Sequence, residues 1–379
     1  ACRVLSVNAL IDAIRHAVIG DKCPISTPFG LRPLVYADYT ASGRGLTFIE
    51  DYIREQVLPY YANTHSESSF TGAQTNALRE QARDEVRRGV NAGPDDRVIF
   101  CGAGATAAID RLIGIMNLRL PRDLADRFAL DAQIPANDRP VVFIGPYEHH
   151  SNELPWRESV AEVVRIPLTA GGQIDLEVLA NQLDAHRDRP LLIGSFSAAS
   201  NVTGIRSDVP AVTALLKRHG ALAFWDYAAA APYVRIDMQG DGVDAPDAVF
   251  ISPHKFVGGP GTPGVLVVKR SLLTNTVPVV VGGGTVVYVT PEHHRFTDDS
   301  ERREEGGTPA IVETIRAGLV FKLQREVGTE EIERRERDFL ERARRRFAAC
   351  PSLEILGDSD AERLSIVSLR FKHGTRDLH

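Results

Sequence analysis

Residues 191–226 read LLIGSFSAASNVTGIRSDVPAVTALLKRHGALAFWD, and their pattern decides the fold. The apolar runs LLIGS and LAFWD at the two ends predict β-strands. Between them, Ser207 or Asp208 can cap the start of a helix, with Pro210 in its first turn. Gly220 suits the left-handed position that follows a helix. A strand, a helix and another strand in this order are typical of an α/β fold with parallel strands.

The same alternation continues through the chain. The predicted strands are residues 97–101, 141–145, 191–195, 222–226, 248–251 and 264–268. Several of these runs are apolar at every position, as expected of strands that helices cover on both faces. The sequence therefore predicts an α/β fold with a mainly parallel sheet.

The predicted sheet belongs to a large domain at residues 31–290, which follows an N-terminal helical segment at 1–30. Residues 291–379 are interpreted as the start of a small C-terminal domain. Outside the sheet, the patterns predict helices at residues 8–19 and 329–347, a long loop at 282–307 and a strand at 365–371. One long helix and about two strands make too small a unit to be stable by itself. We therefore expect the natural sequence to continue beyond His379.

The composition argues against several classes of protein. The chain has 379 residues and a net charge of −6, with both signs spread along it, so the basic stripe of a nucleic-acid-binding protein is missing. No apolar run approaches the roughly 18 residues that a membrane span needs. The cysteines are far apart and form no CxxC pair: Cys2, Cys23, Cys101 and Cys350. This spacing predicts neither a disulfide framework nor a metal site, and it favours a reducing compartment, the cytoplasm.

Two charged residues follow apolar strands of the predicted sheet. Lys255, in the tetrapeptide SPHK, could lie at the floor of a cleft, where desolvation lowers the pKa of its amine so that it can attack an aldehyde. Asp226 ends a strand at the edge where α/β sheets bind ligands, and a buried carboxylate needs a partner such as a protonated pyridine nitrogen. Taken alone, Lys255 could be a solvated surface charge and Asp226 could cap a neighbouring loop.

Three further segments also follow predicted strands. The turn GAGAT at 102–106 can present backbone N–H groups and a helix N-terminus to a phosphate, although such turns are common. His149 or His150, in EHHSN, could stack on a flat cofactor, or both could be ordinary loop histidines. Asn201, in SNVTG, could donate a hydrogen bond to a ligand oxygen or could simply be a turn residue.

The five segments are informative as a set. All of them lie at the carboxyl ends of predicted strands, where an α/β sheet builds its binding site. Together they offer a phosphate cradle, a stacking ring, a polar donor, an anion and an amine, which are the groups that pyridoxal 5′-phosphate (PLP) requires. The sequence therefore predicts a PLP enzyme in which Lys255 holds the cofactor as a Schiff base and Asp226 pairs with the pyridine nitrogen.

The chain carries, in this order, the motifs YADYTAS (36–42), GAT (104–106), EHHSNELPW (148–156), SNVTG (200–204), Asp226, SPHK (252–255) and GTP (307–309). This set resembles the class V aminotransferase superfamily. Within the superfamily it is most similar to cysteine desulfurases and to the desulfurase domain of molybdenum-cofactor sulfurases. The resemblance implies the PLP-dependent transferase fold of type I, with a seven-stranded sheet in the large domain and a smaller α+β domain.

The resemblance also implies a role for each matching residue. Lys255 and His149 would be the catalytic residues: Lys255 would bind the cofactor and shuttle the α-proton, and His149 would stack on the ring. Asp226 would pair with the pyridine nitrogen, and Asn201 would lie near the ring oxygen or the substrate carboxylate. Thr308 matches a residue that reaches the phosphate of the neighbouring subunit, which implies a homodimer. The residues that would hold the phosphate within the chain are Ala105, Thr106, Ser252 and His254.

The chain departs from cysteine desulfurases at two places. Ala229 stands three residues after the aspartate, where many desulfurases have Gln or His and the molybdenum-cofactor sulfurases tend to have a small residue. Desulfurases also use a mobile C-terminal cysteine as the nucleophile, and no cysteine of this chain occurs in that context. Cys101 and Cys350 are interpreted as packed or structural. Either the nucleophile follows His379, or the enzyme does not need that thiol.

These patterns support one leading hypothesis and two alternatives. In the first, the enzyme removes sulfur from L-cysteine to give alanine and an enzyme persulfide, which a sulfur-acceptor protein could receive. In the second, another PLP reaction, such as C–S lysis, β-elimination, epimerisation or transamination, proceeds without a catalytic cysteine. In the third, the protein has lost catalysis and acts as a scaffold, although the intact Lys255 and Asp226 argue against it.

Overall fold

The computed structural model describes residues 6–64, 68–357, 360–374 and 376–378. The strands are β1 Pro24–Thr27, β2 Gly30–Pro33, β3 Asp96–Cys101, β4 Val141–Ile144, β5 Glu162–Arg165, β6 Leu192–Ser197, β7 Leu222–Asp226, β8 Ala248–Ile251, β9 Gly264–Lys269, β10 Val286–Val289, β11 His294–Phe296, β12 Leu353–Ile355, β13 Leu369–His373 and β14 Arg376–Leu378. The α-helices are α1 Val7–Ala17, α2 Thr47–Tyr52, α3 Phe70–Gly89, α4 Gly104–Ile115, α5 Arg122–Phe128, α6 Leu154–Arg157, α7 Leu176–Ala185, α8 Val209–Arg218, α9 Ser300–Arg303, α10 Ile311–Val327 and α11 Thr329–Ala348. Short 3-10 turns at His150–Asn152 and Pro253–Lys255 follow β4 and β8.

A seven-stranded sheet lies at the centre, in the order β3-β9-β8-β7-β6-β4-β5. β9 is antiparallel to both of its neighbours, and the other six strands are parallel. Successive side chains of a strand point to opposite faces, so Phe224 belongs to one apolar core and Trp225 to the other. Ile109 and Leu112 of α4 complete the first core, and Leu216 of α8 contributes to the second. The predicted α/β fold with a mainly parallel sheet is confirmed.

The six strands predicted from the sequence are all present, with ends that differ by at most two residues. Within the central sheet, the strand that the prediction missed is β5, which forms the edge of the sheet beside β4. Its sequence, EVVR, has only two apolar residues, and both of its end residues are exposed. An edge strand with one weakly covered face gives no apolar run, so the sequence does not mark it. The helices predicted at 8–19 and 329–347 are confirmed as α1 and α11.

The start of α8 is capped by Asp208. The Asp208 carboxylate accepts a hydrogen bond from the Ala211 N–H at 3.0 Å. Ser207, the other candidate, donates its hydroxyl instead to the backbone oxygen of Ser197 at 2.6 Å. Gly220 follows the helix with a φ of +69°, which is the left-handed conformation that the sequence predicts there.

The prediction of a long loop at 282–307 is wrong. This segment contains the antiparallel hairpin β10–β11 and the short helix α9. Asp299 caps α9 by accepting the N–H groups of Glu301 and Arg302 at 3.1 and 3.2 Å. The glycines and charges of the segment favour a loop, but the run of β-branched and aromatic residues in VVYV provides the strand propensity that forms the hairpin.

The C-terminal part contains α11 and a three-stranded antiparallel sheet, β12-β13-β14. The strand predicted at 365–371 begins only at Leu369. The residues before Leu369 contact the loop after β6 instead, where the Leu364 N–H donates to the Gly204 oxygen at 2.8 Å and the Ser368 hydroxyl donates to the Val202 oxygen at 2.6 Å. Cys2 lies outside the described residues, and the division into domains stays a prediction. In the described part of the chain, no helix is long and apolar enough to span a membrane.

Replacing Asp208 with Ala should remove the cap of α8 and lower the free energy of unfolding by about 1 kcal/mol. Asp208→Asn should change it much less, because asparagine caps a helix about as well as aspartate. Urea denaturation followed by circular dichroism measures both variants. Equal losses in the two would mean that the charge of Asp208, rather than its hydrogen bond, stabilises the helix.

Candidate active site

A cavity of about 1030 Å³ opens where the central parallel strands end. The carboxyl ends of parallel strands meet at one edge of a sheet, so the loops that follow them converge there. The predicted site residues that line this cavity are Ala105, Thr106, His149, Asn201, Asp226, Ser252, His254 and Lys255. The fold therefore brings into one cavity side chains that are far apart in the sequence.

Asp226 and Lys255 form the charged centre of the cavity. Asp226, the last residue of β7, is only 4% exposed, and its Oδ1 accepts the Ala228 N–H at 2.7 Å. Burial raises the pKa of Asp226, while the Ala228 N–H and the nearby Lys255 and His149 lower it. Burial lowers the pKa of the Lys255 amine, and Asp226 opposes this effect. A lysine whose pKa is lowered is a better nucleophile toward an aldehyde at neutral pH.

The amino-terminal end of α4 forms a cradle for an anion. The N-cap residue of this helix, Ala103, makes no side-chain cap, and the Ala105 N–H donates instead to Ser252 Oγ at 2.8 Å. Gly104 has a φ of +54°, and a Cβ there would lie 2.9 Å from Ser252 Oγ and 3.7 Å from His254 Nε2. A side chain at Gly104 would fill the cradle. The backbone N–H groups and the helix dipole favour a phosphate or another anion at this point.

His149 lines the cavity, and His150 does not. The residues alone leave this choice open, and the family resemblance favours His149. The Nδ1 atom of His149 accepts the Ser151 N–H at 3.1 Å and lies 2.9 Å from Ser151 Oγ. Ser151 Oγ in turn lies 2.7 Å from Thr106 Oγ1. These contacts fix the imidazole relative to the anion cradle, so its ring is held in the cavity wall.

Thr308 is the predicted site residue that the structure leaves outside the cavity. Its side chain is exposed, and its Oγ1 accepts a hydrogen bond from Asn63 Nδ2 at 3.2 Å. Gly306 and Pro309, on either side of it, do line the cavity. Its predicted role concerns the phosphate of a neighbouring subunit rather than of its own chain, and that role stays a prediction.

The structure also adds residues that the sequence analysis gave no role. Arg111, Ser197 and Glu305 line the cavity. Glu148 does not, but its carboxylate accepts hydrogen bonds from the backbone and side chain of Ser197 at 2.9 and 2.6 Å. Burial raises the pKa of Glu148 to about 7, although these hydrogen bonds oppose the shift.

Glu305 lies in a buried cluster of charges beside the cavity. Its Oε1 accepts the Phe100 N–H at 2.7 Å and the guanidinium of Arg83 at 3.0 Å. Burial alone would raise the pKa of Glu305, but the charges of Arg83 and Arg79 hold it below its usual value. The charge of Glu305 is therefore neutralised by ion pairs with Arg79 and Arg83, whereas the carboxylate of Asp226 faces the cavity.

Comparison with known proteins gives consistent matches over most of the chain. The family model described as aminotransferase class-V matches residues 35–378. A probable cysteine desulfurase of Halalkalibacterium halodurans is 29% identical over 333 residues, which are 86% of this chain and 75% of the relative. A probable cysteine desulfurase of Streptomyces coelicolor is 28% identical over 333 residues, which are 87% of this chain and 75% of the relative.

Solved structures show the same fold. The apo structure of a cysteine desulfurase from Thermococcus onnurineus has a TM-score of 0.74 at 20% identity and covers 90% of this chain and 80% of its own. The S-sulfonic acid form of a cysteine desulfurase from Escherichia coli has a TM-score of 0.69 at 22% identity, covering 89% of this chain and 78% of its own. At these identities the likeness concerns the fold alone.

Replacing Asp226 with Asn should lower the pKa of the Lys255 amine further, because the carboxylate is the negative charge that favours its protonated form. Competitive labelling of lysines with an amine-selective reagent, read by peptide mass spectrometry across a pH series, gives the pH midpoint of Lys255. The midpoint should move to lower pH in Asp226→Asn and stay in place in Asp188→Asn, a change at an exposed position. An unchanged midpoint in Asp226→Asn would contradict the electrostatic coupling of the two residues.

Proposed function

Because the chain belongs to the aminotransferase class-V family, we propose that it is a PLP-dependent enzyme with cysteine-desulfurase-like activity, which removes the sulfur of L-cysteine. The observation that carries the proposal is that Lys255 and Asp226 line one cavity. Asp226 ends β7, and Lys255 follows the neighbouring strand β8. The relatives named above as probable cysteine desulfurases support L-cysteine as the substrate.

The residues of the cavity fit PLP. Gly104 leaves the cradle at the start of α4 open for a phosphate, and the buried Asp226 carboxylate has room on its cavity side for a cation. Lys255 would bind the aldehyde, and Asn201 would lie near the ring oxygen or the substrate carboxylate. The phosphate would be held by Ala105, Thr106, Ser252 and His254. Bound PLP supplies an electron sink for the charge that develops when a substrate loses its α-proton.

The side chains around this position would each do one task. Lys255 Nζ would accept the α-proton and return it, since burial lowers the pKa of the amine and makes its neutral form available. The charge of Asp226 would favour the protonated pyridine nitrogen. His149 would lie against one face of the ring and keep water from it.

The thiols of the described residues do not provide an obvious nucleophile for the sulfur atom. Cys101 lines the cavity, but burial raises the pKa of its thiol to about 12, so it stays protonated. Cys23 is exposed and Cys350 is partly buried, and neither lines the cavity. The expectation that the nucleophilic cysteine follows His379 stays a prediction. The described cysteines are all free, which supports a reducing compartment such as the cytoplasm.

The state of Cys101 also favours a second candidate function. A β-elimination on the same cavity needs Lys255 to move the α-proton but needs no attacking thiolate. L-Cysteine and water would then give pyruvate, ammonia and hydrogen sulfide. In a desulfurase reaction, a thiol of the enzyme takes the sulfur as a persulfide and L-cysteine becomes alanine, after which a sulfur-acceptor protein could receive the sulfur. The two candidates therefore differ in their carbon product.

A homodimer is the third part of the proposal. The hairpin β10–β11 and the segment before it expose a run of apolar side chains, among them Val281, Val287 and Val289, each more than 60% exposed. The Gly307 N–H donates to the Gly283 oxygen at 2.9 Å, so Thr308 belongs to the same surface as the hairpin. Exposed apolar patches mark interaction sites. A second copy of the chain on this surface would cover the valines and could take up Thr308 at its own cavity.

Lys255→Ala should abolish product formation from L-cysteine, because no other described lysine lines the cavity. With PLP, L-cysteine and a thiol reductant, the natural protein should release alanine and sulfide in equal amounts. Lys322→Ala, a change at an exposed position, should retain the activity. Pyruvate in place of alanine would assign the β-elimination, and turnover by Lys255→Ala would refute both candidates.

Val287→Asp together with Val289→Asp should convert a dimer to monomers, because two charges would be buried in the proposed interface. Sedimentation velocity measures the mass, and Val243→Asp, at a valine that is 70% exposed elsewhere, is the matched control. A natural protein that sediments as a monomer, or a double variant that remains dimeric, would rule out this surface as the interface.

A further inference from the structure

The carboxylate of Glu148 is fully occupied by hydrogen-bond donors. Its Oε1 accepts the N–H groups of Gly145 and Ser197 at 3.2 and 2.9 Å. Its Oε2 accepts the Asn152 amide at 2.7 Å and the Ser197 hydroxyl at 2.6 Å. One side chain therefore joins the ends of β4 and β6 to the turn His150–Asn152.

The orientation of Asn152 is fixed by its other neighbours. Its Oδ1 accepts the Ser195 hydroxyl at 2.7 Å and the Trp156 Nε1–H at 3.3 Å. Asn152 and Ser195 are both buried. The Trp156 Nε1–H also lies 3.1 Å from Ser195 Oγ. With Oδ1 on the side of these two donors, the amide nitrogen of Asn152 points toward Glu148. All four donors are satisfied together when residue 148 presents acceptors in both directions.

Two of the three partners of Glu148, Ser197 and Asn152, lie close to groups that face the cavity. Ser197, the last residue of β6, is opposite Asp226 in the pairing of β6 with β7, and the Ala198 N–H donates to the Asp226 backbone oxygen at 2.9 Å. Asn152 is the last residue of the turn His150–Asn152, and His149 is the residue that caps the start of this turn. Glu148 thus holds the strand end beside Asp226 and the turn beside His149 at a fixed separation.

We propose that Glu148 is a positioning residue that sets His149 and Asp226 in register with each other, so that one wall of the cavity can hold the ring of PLP. This inference rests on the proposed function only in that PLP is the cofactor. Glu148 touches neither the cavity nor the reacting atoms. It acts through the two residues that do, by holding the backbone on which each of them is carried.

Glutamine is the most informative substitution because it has the shape of glutamate but not its pattern of acceptors. If the amide nitrogen of Gln took the place of Oε1, it would face the N–H groups of Gly145 and Ser197. If it took the place of Oε2, it would face the amide nitrogen of Asn152. With Asn152 oriented as described, either orientation opposes donor to donor, which is costly for groups with little access to water.

The test is the dissociation constant of PLP, measured by spectroscopic titration of the apoprotein without any substrate. Glu148→Gln should raise this constant about tenfold, since buried donors lose an acceptor. Glu158→Gln, on an exposed side chain ten residues further along the same segment, should leave it unchanged. Glu148→Asp keeps the charge but cannot reach both sets of donors, so its effect should be intermediate.

A double-mutant cycle separates positioning from a general loss of stability. His149→Ala removes the ring through which Glu148 is proposed to act, so Glu148→Gln should weaken PLP binding much less in that background than in the natural one. Equal effects in both backgrounds, or natural affinity in Glu148→Gln, would overturn the proposal. If Glu148→Gln does not fold, the same cycle with Glu148→Asp decides. A natural protein that does not bind PLP at all would instead refute the cofactor assignment, and with it this role.

Discussion

Asp226 carries a negative charge out of water at the end of β7, and the rest of the cavity is arranged around this charge. The transfer of a carboxylate into a protein interior costs several kcal/mol unless it is compensated. Ala228 provides one backbone N–H at 2.7 Å, and the nearby Lys255 and His149 also lower the pKa of Asp226. The remaining side of the carboxylate faces the cavity. A ligand that brings a positive charge to this side is stabilised there. Lys255, whose pKa is lowered by burial, lines the same cavity.

Buried carboxylates also stabilise the edge of the sheet nearest the anion cradle, where they accept hydrogen bonds from the backbone of β3. β3 is the outermost strand, so the N–H groups of Val98 and Phe100 have no neighbouring strand to accept them. Glu301 and Glu305 accept these two N–H groups, each at 2.7 Å. Arg83 balances the carboxylates from α3. This arrangement closes the sheet edge without another strand, and it ties the turn at Gly306 to the strand that leads into the cradle.

The sequence could predict those parts of the site that depend on position along one strand. A polar residue at the end of an apolar run, or within a few residues after it, lies near the carboxyl edge of a parallel sheet whatever its neighbours are, and this rule predicts Asp226, Lys255 and Asn201. Whether His149 or His150 faces inward depends on the conformation of the turn, which adjacent residues do not reveal. Thr308 was found by resemblance alone, and a single chain does not place it in the cavity.

Other parts could not be predicted because they depend on contacts between distant segments. Glu148 and Ser197 are 49 residues apart, and Glu305 and Phe100 are 205 residues apart. A glutamate in a polar motif gives no sign that four donors will surround it. β5 was missed for a related reason, since an edge strand obtains its order from its neighbour β4 rather than from an apolar run of its own.

The burial that makes the floor of the cavity rigid also limits the chemistry that the floor can perform. Cys101 ends β3 beside the cradle, and Arg111 nearby favours its thiolate, but desolvation outweighs that effect and keeps the thiol protonated. A reactive thiolate needs solvent access and a positive environment, whereas strands covered on both faces exclude solvent. The same floor suits Lys255, because desolvation favours the neutral, nucleophilic form of an amine, whereas it favours the unreactive protonated form of a thiol. Proton transfer and sulfur transfer therefore require different surroundings, and an attacking cysteine has to enter the cavity from a more exposed and more mobile element than the sheet.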